Sequence, residues 1–550
     1  MFFLLNTLWS VWMIKYILFW LYLWQLKEYH TGRFIDHFRT HKGKKLLFSF
    51  EQILKLALLV FFVFVPNQFS ILFFILFLVY LFEFLVFAKN IFLKTFKKPV
   101  KTFKTLFLAF ISFVVAVVFL VWASGQQSEF QPAYLIIFDI FTPLVISIII
   151  LIFQPFFVAI RKKTLRQAQD RLGKIKSVSG LKVIAITGSY GKTSTKEFLS
   201  TILSKKFKVL STKEHQNSEI GVAKCILGEL RPGHQIFIAE VGAYNKGKVK
   251  EVCNMLKPKI GIVTGVNQQH MALFGSMENL LSAEGGGELA EILSRDGLLV
   301  VNGDNKYCLD LLKKSNNLPP SREKKYSLSN KLIGADIWTE DILVEKDSIS
   351  FLAINKNKEM GHFKVNVLGK QNVQNLLAGI LVARELGMSI EEISDACKSI
   401  KQEQAGMVLK QGKHGINIVD SSYSANPDGV FADLDYLSIF AGKKVIVMPC
   451  LIELGSKSSE IHYRIGKKIG EVCDLAIITS KDKFSDLEKG FIDVIARSPQ
   501  GDVAIQSPGT KKIIFLENPE EISVAVTTFC KSGDAVLLEG RGPLKLHELL

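Results

Sequence analysis

The chain has 550 residues, of which 49% are hydrophobic, and it carries a formal net charge of +17. Its length predicts three or four domains. Seven cysteines are scattered without a Cys-x-x-Cys pair, which argues against a disulfide framework or a zinc site and fits a reducing cytosol. Much of the positive charge lies beside apolar segments, where it indicates membrane orientation, so we expect no nucleic-acid partner.

Residues 1–160 are predicted to form an α-helical membrane region. Five apolar segments approach or exceed the length that spans a bilayer, and they cover residues 3–24, 47–65, 69–87, 106–122 and 134–160. No cleavage-site pattern follows the first segment, which therefore predicts an anchor and not a removed signal peptide. A lipid bilayer is thus an expected partner.

The connections between these segments alternate in charge. Residues 27–45, 94–104 and 161–166 are rich in basic side chains, whereas residues 124–133 carry only Glu129. Because basic loops remain in the cytoplasm, this pattern predicts a multi-pass protein of the cell (inner) membrane. Its N-terminus would lie outside and its C-terminal part in the cytoplasm.

Two charged residues, Lys15 and Glu83, lie deep within predicted spans. A charge at that depth is costly unless it is paired, so we hypothesise a contact between them. Snorkelling to the interface or access to water is the alternative.

Residues 161–182 form a basic, helix-favouring stretch in which Leu165, Ala168 and Leu172 are interleaved. This composition predicts a juxtamembrane linker helix that lies on the anionic inner leaflet. A solvated linker is the alternative.

From residue 183 onward, short apolar strands alternate with helical patterns. This alternation predicts an α/β fold with a mostly parallel sheet from 183 to 403 and a second α/β unit from 404 to 550. The predicted strands cover residues 183–186, 236–239, 260–264, 298–301, 416–419, 445–448, 475–478 and 535–538. Residues 498–509 break the pattern and are predicted to be a surface insertion.

The most informative stretch is Ile186-Thr187-Gly188-Ser189-Tyr190-Gly191-Lys192-Thr193-Ser194-Thr195. It follows a predicted strand and opens a predicted helix, which is the arrangement of a phosphate-binding loop. Glycines let backbone N–H groups approach the phosphates, Lys192 reaches the terminal phosphates, and Thr193 offers a hydroxyl to Mg²⁺. The residues expected to bind the nucleotide here are Gly188, Ser189, Tyr190, Gly191, Lys192, Thr193 and Ser194.

This loop lacks the first glycine of a Walker A motif, since Ile186 stands there, and its shorter form resembles the ATP loop of the Mur ligase superfamily. Two further motifs follow in the family's order. Glu240-Val241-Gly242 resembles the family's Glu-x-Gly, whose carboxylate helps to hold Mg²⁺. Asn267-Gln268-Gln269-His270 resembles the segment whose histidine contacts a second metal or the substrate phosphate.

Later motifs strengthen the resemblance. Gly369–Asn375 resembles the family's Gly-x-His/Gln-Asn-x-x-Asn, and the segment from Asp420 to Pro427 is close to a motif of the branch that adds D-Ala-D-Ala. Residues 448–455 with His462 are similar to another motif of that branch. The resemblance implies nucleotide contacts from Asn372, Asn375, Asp420 and Tyr423.

The resemblance spans residues 183–550 and implies a central P-loop ATPase domain followed by a Rossmann-like C-terminal domain. It implies ATP-driven amide-bond formation through an acyl phosphate in peptidoglycan precursor synthesis, with ATP and Mg²⁺ as cofactors. Lys192 and His270 would be catalytic, and Thr193, Glu240 and His270 would hold metal. The partners would be a muramoyl-peptide precursor, nucleotide- or lipid-linked, and a dipeptide or amino acid.

Several positions depart from the family pattern. Gly286 aligns with a lysine that helps to hold the second metal, Gly406 with an arginine that contacts ATP, and Ser421 with an aspartate. Glu539 stands in the family's late Lys-Gly-Ser-Arg motif, and the membrane region occupies the place of the uridine-binding domain. These departures leave two alternatives open. One is a different branch, such as a polyglutamate-forming ligase or an amidase of lipid-linked precursors, and the other is a nucleotide-binding membrane scaffold with a decayed site.

Overall fold

The chain divides into two compact units, Met1–Lys162 and Lys163–Leu550. The computed structural model describes residues 2–27, 29–47, 49–64, 69–93, 95–126, 129–213, 216–243, 245–314, 318–329, 334–422, 425–496, 511–541 and 546. The predicted insertion at 498–509 lies outside these residues.

The first unit is helical. Its helices are α1 (Phe2–Leu26), α2 (Thr31–His37), α3 (His41–Leu47), α4 (Phe50–Phe64), α5 (Phe69–Phe92), α6 (Phe103–Ser124) and the first part of α7 (Gln131–Ser179). Within the described residues, α1, α5, α6 and α7 are long and apolar enough to cross a membrane. The predicted span at 47–65 corresponds to α4, which has 15 residues in the described chain.

The surface of this unit is apolar as well as its core. Large side chains such as Phe74, Phe110 and Val118 are exposed on helices whose opposite faces form a packed hydrophobic cluster. Helices that are hydrophobic on all sides are typical of membrane spans. The four candidate helices therefore agree with the expected membrane association.

The hypothesised Lys15–Glu83 contact is wrong. The Glu83 carboxylate accepts from Lys55 at 2.8 and 2.9 Å, whereas the Lys15 ammonium lies 4.3 Å from the centre of the Trp12 ring. The sequence argument considered only Lys15 and Glu83 and overlooked Lys55, which lies in the middle of the predicted span 47–65.

The basic stretch after residue 160 continues α7 without a break to Ser179. Leu165, Ala168, Leu172 and Ile175 are buried in a core cluster of the second unit, so the prediction that this apolar stripe lies on the leaflet is wrong. Their spacing places them on one helical face. Such a stripe fits lipid or protein equally well, and only the tertiary structure distinguishes the two.

The second unit begins with a nine-stranded sheet. Its strands are β1 (Lys182–Thr187), β2 (Val209–Ser211), β3 (Ile236–Glu240), β4 (Ile260–Val263), β5 (Leu298–Asn302), β6 (Glu323–Ser327), β7 (Ile337–Val344), β8 (Ile349–Asn355) and β9 (Met360–Val365). The spatial order is β2-β3-β1-β4-β5-β6-β7-β8-β9. The first seven strands in this order pair in parallel, and β7, β8 and β9 form an antiparallel meander.

Helices cover both faces of this sheet. They are α8 (Lys192–Leu203), α9 (Glu219–Gly228), α10 (Lys248–Leu256), α11 (Met271–Phe274), α12 (Met277–Ser282), α13 (Gly287–Ile292), α14 (Lys306–Lys314), α15 (Gln371–Glu385) and α16 (Ile390–Cys397). Ile184 and Ile186 of β1 pack on one face with α8 and α15, and Val183 and Ala185 pack on the other. Two-sided burial explains why β1 is a continuous apolar run.

The C-terminal sheet has six strands: β10 (Val408–Gln411), β11 (Asn417–Ser421), β12 (Lys444–Met448), β13 (Leu475–Ile478), β14 (Lys512–Phe515) and β15 (Ala535–Glu539). Their order is β10-β11-β15-β12-β13-β14, and all pairs except β10–β11 are parallel. The covering helices are α17 (Pro427–Leu437), α18 (Ser458–Val472), α19 (Phe484–Ile495) and α20 (Pro519–Phe529). The expected α/β class and the eight predicted strands are confirmed.

Candidate active site

The candidate site forms where three neighbouring parallel strands end. The phosphate-binding loop follows β1, Glu240 is the last residue of β3, and the segment from Thr264 to His270 follows β4. Because β3, β1 and β4 are adjacent and parallel, their carboxyl ends meet at one edge of the sheet. Ligands of open α/β sheets bind at such an edge.

Two positions of the loop require glycine because side chains from other segments lie close to its backbone. Gly191 has φ 74° and caps α8, and a Cβ there would lie 2.5 Å from Asn375 Oδ1. Gly188 has φ 138°, and a Cβ there would lie 2.2 Å from the Thr264 hydroxyl. The loop therefore exposes backbone N–H groups at the start of α8, where an anion is favoured.

Lys192 opens α8 and turns back over the loop. Its ammonium lies within hydrogen-bonding distance of the carbonyls of Gly188 and Ser189, the latter at 3.3 Å. The side chain is thus held over the loop, and its predicted contact with the terminal phosphates stays a prediction. Ser194, two residues on, donates to the carbonyl of Ala405 at 3.2 Å.

Tyr190 lies inside the loop and not on its surface. Its hydroxyl accepts from Asn305 at 3.2 Å, and its ring lies so close to Gly265 that a Cβ there would be 2.3 Å away. Burial, together with the Asp428 carboxylate, raises the pKa of Tyr190. Tyr190 therefore supports the loop from below, and its predicted nucleotide contact stays a prediction.

Thr193 and Glu240 form an oxygen-rich pair beside the loop. The Thr193 hydroxyl donates to Glu240 Oε2 at 3.0 Å, and Asn217 Nδ2 donates to Oε1 at 3.1 Å. Lys196, which is fully buried, places its ammonium 3.6 Å from Oε2. The Glu240 carboxylate is therefore fixed by three side chains at the end of β3.

His270 contacts a carboxylate that the sequence analysis missed. His270 Nδ1 lies 2.9 and 3.1 Å from the two oxygens of Glu284, and the Ser189 hydroxyl donates to Oε2 at 2.9 Å. Although burial opposes ionisation, the contacts with His270 and the charge of Lys192 lower the pKa of Glu284. An ionised carboxylate thus lies directly behind the phosphate loop.

Gly286, aligned above with the family's lysine, has no room for a side chain. Its φ is 86°, and a Cβ would lie 2.5 Å from Val263 Cγ2. Within this segment Glu284 is the residue that reaches the site. A carboxylate immediately before a run of three glycines was the signal that sequence reasoning overlooked.

Asn372 and Asn375 lie on the first turn of α15, and their amides are engaged inside the protein. Asn375 Nδ2 donates to Asn372 Oδ1 at 3.0 Å, and Asn372 Nδ2 donates to the carbonyl of Leu368 at 2.8 Å. Thr195 on α8 donates to Asn375 at 3.3 Å. The pair fixes α15 against the phosphate loop, and its contact with adenine stays a prediction.

The segment from Asp420 to Pro427 contains two residues predicted to contact the nucleotide, Asp420 and Tyr423. Asp420 pairs with Lys410 at 2.6 Å between β10 and β11. Tyr423 lies outside the described residues. Gly406 has φ 79° and ends a short 3-10 turn beside the loop helix. The predicted contact of Asp420 with the nucleotide stays a prediction.

The two α/β domains contact each other at this site. Asn267, after β4, donates to Asn426 at 3.2 Å and to Asp428 at 2.9 Å. The Ala272 N–H donates to the carbonyl of Glu453 at 3.1 Å. Motifs that lie more than 150 residues apart in the chain are thereby brought to one edge of the fold.

A second acidic cluster lies at the ends of β11 and β15. Ser421 donates to Asp433 Oδ2 at 2.5 Å, and Gln371 of the central domain donates to Oδ1 at 3.0 Å. Burial, with the adjacent Asp433 carboxyl, raises the pKa of Glu539 well above its usual range. The folded protein therefore favours a protonated Glu539.

We expect Glu539→Gln to stabilise the protein at neutral and alkaline pH. An acid whose pKa is raised by folding contributes stability that is fully present below its ordinary value of 4.5 and is lost as the pH rises. The neutral amide removes this loss, so the free energy of unfolding should rise by roughly 1–3 kcal/mol at neutral pH and change little in acid.

Calorimetric unfolding of the full chain in detergent at several pH values measures this effect. The matched control is Glu517→Gln, since Glu517 is exposed. A loss of stability of equal size at every pH would show instead that folding does not raise the pKa of Glu539.

Family comparisons agree with this geometry. The model of the Mur ligase middle domain matches residues 186–383, and that of the Mur ligase, glutamate ligase domain matches residues 407–542. The UDP-N-acetylmuramoyl-tripeptide--D-alanyl-D-alanine ligase of Borreliella burgdorferi is 30% identical over 355 residues, which cover 60% of this chain and 73% of that protein. The enzyme of the same name from Bacillus subtilis is 24% identical over 377 residues, which cover 68% and 75%.

Solved structures share the fold. MurF from Acinetobacter baumannii superposes with a TM-score of 0.60 at 22% identity, over 70% of this chain and 78% of that one. MurF ligase from Thermotoga maritima in complex with ADP superposes with a TM-score of 0.57 at 24% identity, over 71% and 82%.

A phosphate loop at the carboxyl edge of one sheet, closed by a second α/β domain, defines a two-domain nucleotide-dependent enzyme. With the family matches over both of these domains, the chain belongs to the Mur ligase family. It is an ATP-dependent, ADP-forming ligase, and the resemblance stated from its sequence motifs is confirmed.

Proposed function

We propose that this protein is a membrane-anchored ligase of peptidoglycan precursor synthesis that joins D-Ala-D-Ala to a muramoyl tripeptide. The observation that carries the proposal is the convergence of Lys192, Glu240 and the His270–Glu284 pair around one phosphate loop. The two relatives described above bear the name of this activity. The motif between Asp420 and Pro427, which resembles the same branch, supports the choice of dipeptide.

The side chains present fit a magnesium ion. Thr193 and Glu240 offer hard oxygen ligands 3.0 Å apart beside the phosphate cradle. Within the described residues no group of three or more His, Cys, Asp or Glu side chains forms a metal site. A single carboxylate with one hydroxyl suits Mg²⁺, which protein sites hold through one or two carboxylates together with substrate phosphates. When bound, the ion would offset charge on the nucleotide phosphates.

The other residues have separate tasks. Lys192 binds the terminal phosphates and opposes the negative charge that accumulates when a substrate carboxylate approaches them. Loop N–H groups at the start of α8 orient the same phosphates. Asn267 and its partners Asn426 and Asp428 hold the C-terminal domain over the site, which excludes water from the activated carboxyl group.

Glu284 argues against the decayed-scaffold alternative. The Mur ligase resemblance implies a lysine in this segment that is carbamylated in several members of the family and so carries a carboxylate. Here Glu284 places its own carboxylate beside His270. We infer that Glu284 and His270 together act on the substrate side of the phosphate loop. Glu284 then supplies the acidic group that a carbamylated lysine carries in the family, at the position where this chain has Gly286.

Four helices of the first unit support the anchor. A membrane unit in the place of a uridine-binding domain favours an acceptor that is held near the bilayer. Whether that acceptor is nucleotide-linked or lipid-linked defines the two arms of the experiment.

The test is phosphate release by the full chain in detergent with Mg-ATP, D-Ala-D-Ala and either the muramoyl-tripeptide nucleotide or its lipid-linked form. We expect release that requires both the acceptor and the dipeptide. Replacing D-Ala-D-Ala by ammonium or by glutamate tests the other branches with the same readout. ATP binding without release on any acceptor would contradict the ligase and favour the scaffold.

A further inference from the structure

The membrane unit contains a buried cluster of charged side chains that the ligase reaction does not use. Lys55 lies on α4, Glu83 on α5 and Asp139 on α7, and their side chains are 0%, 4% and 0% exposed. A charged group in the hydrocarbon core of a bilayer is costly unless it is paired. A helix bundle that served only as an anchor would need none of them.

The contacts distinguish the two carboxyl groups. Asp139 accepts from Trp12 Nε1 at 3.0 Å, from the Tyr80 hydroxyl at 3.3 Å and from Lys55. Glu83 accepts from Lys55 at 2.8 and 2.9 Å, and Lys55 is its one hydrogen-bond donor among the residues that the structure describes. Because donors stabilise the charged form of a carboxyl group, Asp139 is the ionised partner of Lys55.

Counting charges leaves one excess negative charge if both carboxyl groups ionise. Two further charged residues belong to the same helices or to α1: Lys15, whose ammonium lies over the Trp12 ring at 4.3 Å, and the exposed Glu51 on the first turn of α4. These two have opposite signs, and neither is in contact with Glu83 or Asp139. Protonation of the Glu83 carboxylate therefore makes the net charge of the buried cluster zero.

We propose that Glu83 binds an exchangeable proton beside the Lys55–Asp139 ion pair, which makes the membrane unit a proton-binding site as well as an anchor. The proton passes from water to a Glu83 oxygen, and Lys55 and Asp139 keep their charges. Because Lys55 contacts both carboxyl groups, gain or loss of this proton changes the attraction between α4, α5 and α7. The packing of these three helices then depends on pH.

The first test is labelling of the full chain, reconstituted in lipid vesicles, with a hydrophobic carbodiimide, which reacts with protonated carboxyl groups. Mass spectrometry of the peptides locates the modification. We expect Glu83 to be modified in acid, to a falling extent as the pH rises, and Asp139 to remain unmodified. Modification of Asp139 in place of Glu83, or of neither group at any pH, overturns the proposal.

The second test compares two variants that conserve size. Five of the six tryptophans lie in the membrane unit, so tryptophan fluorescence of the full chain reports mainly on that unit during heating. We expect Glu83→Gln to unfold at the wild-type temperature in acid and to lose the pH dependence, because the amide imitates the protonated acid. Asp139→Asn should lower the unfolding temperature at every pH, since it leaves Lys55 without its ionised partner.

The double variant with Lys15→Met tests the alternative that Lys15 and Lys55 together balance two ionised carboxyl groups. If both carboxyl groups are ionised and balanced by two lysines, Glu83→Gln will destabilise the unit as much as Asp139→Asn in acid. Adding Lys15→Met will then restore the stability of Glu83→Gln. That pattern overturns the proposal, whereas a further loss of stability, or no change, on adding Lys15→Met supports it.

Discussion

Lys192→Ala should abolish nearly all acceptor-dependent phosphate release, with a loss of about 10²–10³-fold in turnover, or about 3–4 kcal/mol. The ammonium lies over the phosphate loop beside the carbonyls of Gly188 and Ser189. Alanine removes the positive charge at the place where the terminal phosphates and the substrate carboxylate meet. The fold should persist, because the apolar residues of α8 and not Lys192 pack in the core.

The measurement is phosphate release by the full chain with saturating Mg-ATP and both substrates. Lys205→Ala is the matched control, since Lys205 is exposed just beyond the C-terminal end of α8. Full activity of Lys192→Ala would show that the loop does not bind the reacting phosphates. Loss of activity in both variants would indicate damage to the helix.

Glu240→Gln should raise the Mg²⁺ concentration needed for half-maximal activity by at least about tenfold. Glutamine keeps the size of the side chain but removes the charge, and its amide nitrogen cannot serve as a metal ligand. The neighbouring Lys196 ammonium, 3.6 Å from Glu240 Oε2, would then lose a partner and repel the cation. Turnover at high Mg²⁺ should recover in part.

A titration of activity with Mg²⁺ at fixed ATP measures this effect. Glu291→Gln is the control, because Glu291 is exposed and pairs with Lys250 on the surface. An unchanged Mg²⁺ requirement would place the ion elsewhere, with the His270–Glu284 pair as the next position to substitute.

The membrane cluster and the ligase site are independently testable. Lys192→Ala and Glu240→Gln report on phosphate release, whereas Glu83→Gln reports on labelling and on unfolding of the membrane unit. A ligase without a proton-binding Glu83 would still release phosphate, and a proton-binding membrane unit could accompany an inactive ligase domain. Failure of one proposal thus leaves the other standing.

Local sequence rules determined the backbone conformation of the loop that follows β1. Gly188 and Gly191 occupy positions with positive φ, and Lys192 opens the helix, as the strand–turn–helix pattern predicts. The buried parallel strands were equally evident, because burial on both faces leaves an uninterrupted apolar run. The antiparallel meander of β7, β8 and β9 was missed, since strands with one exposed face alternate polar and apolar residues and give a weaker signal.

Contacts between residues far apart in the chain were decided only by the tertiary structure. The sequence paired Glu83 with Lys15, whereas the packing of α4 against α5 pairs it with Lys55. The family motif drew attention to Gly286, whereas the turn before α13 brings Glu284 to His270. Residue type and spacing determine which local conformations and chemistries are available. Which side chains meet depends on how whole helices and strands pack, because packing is set by the sum of many weak contacts over the fold.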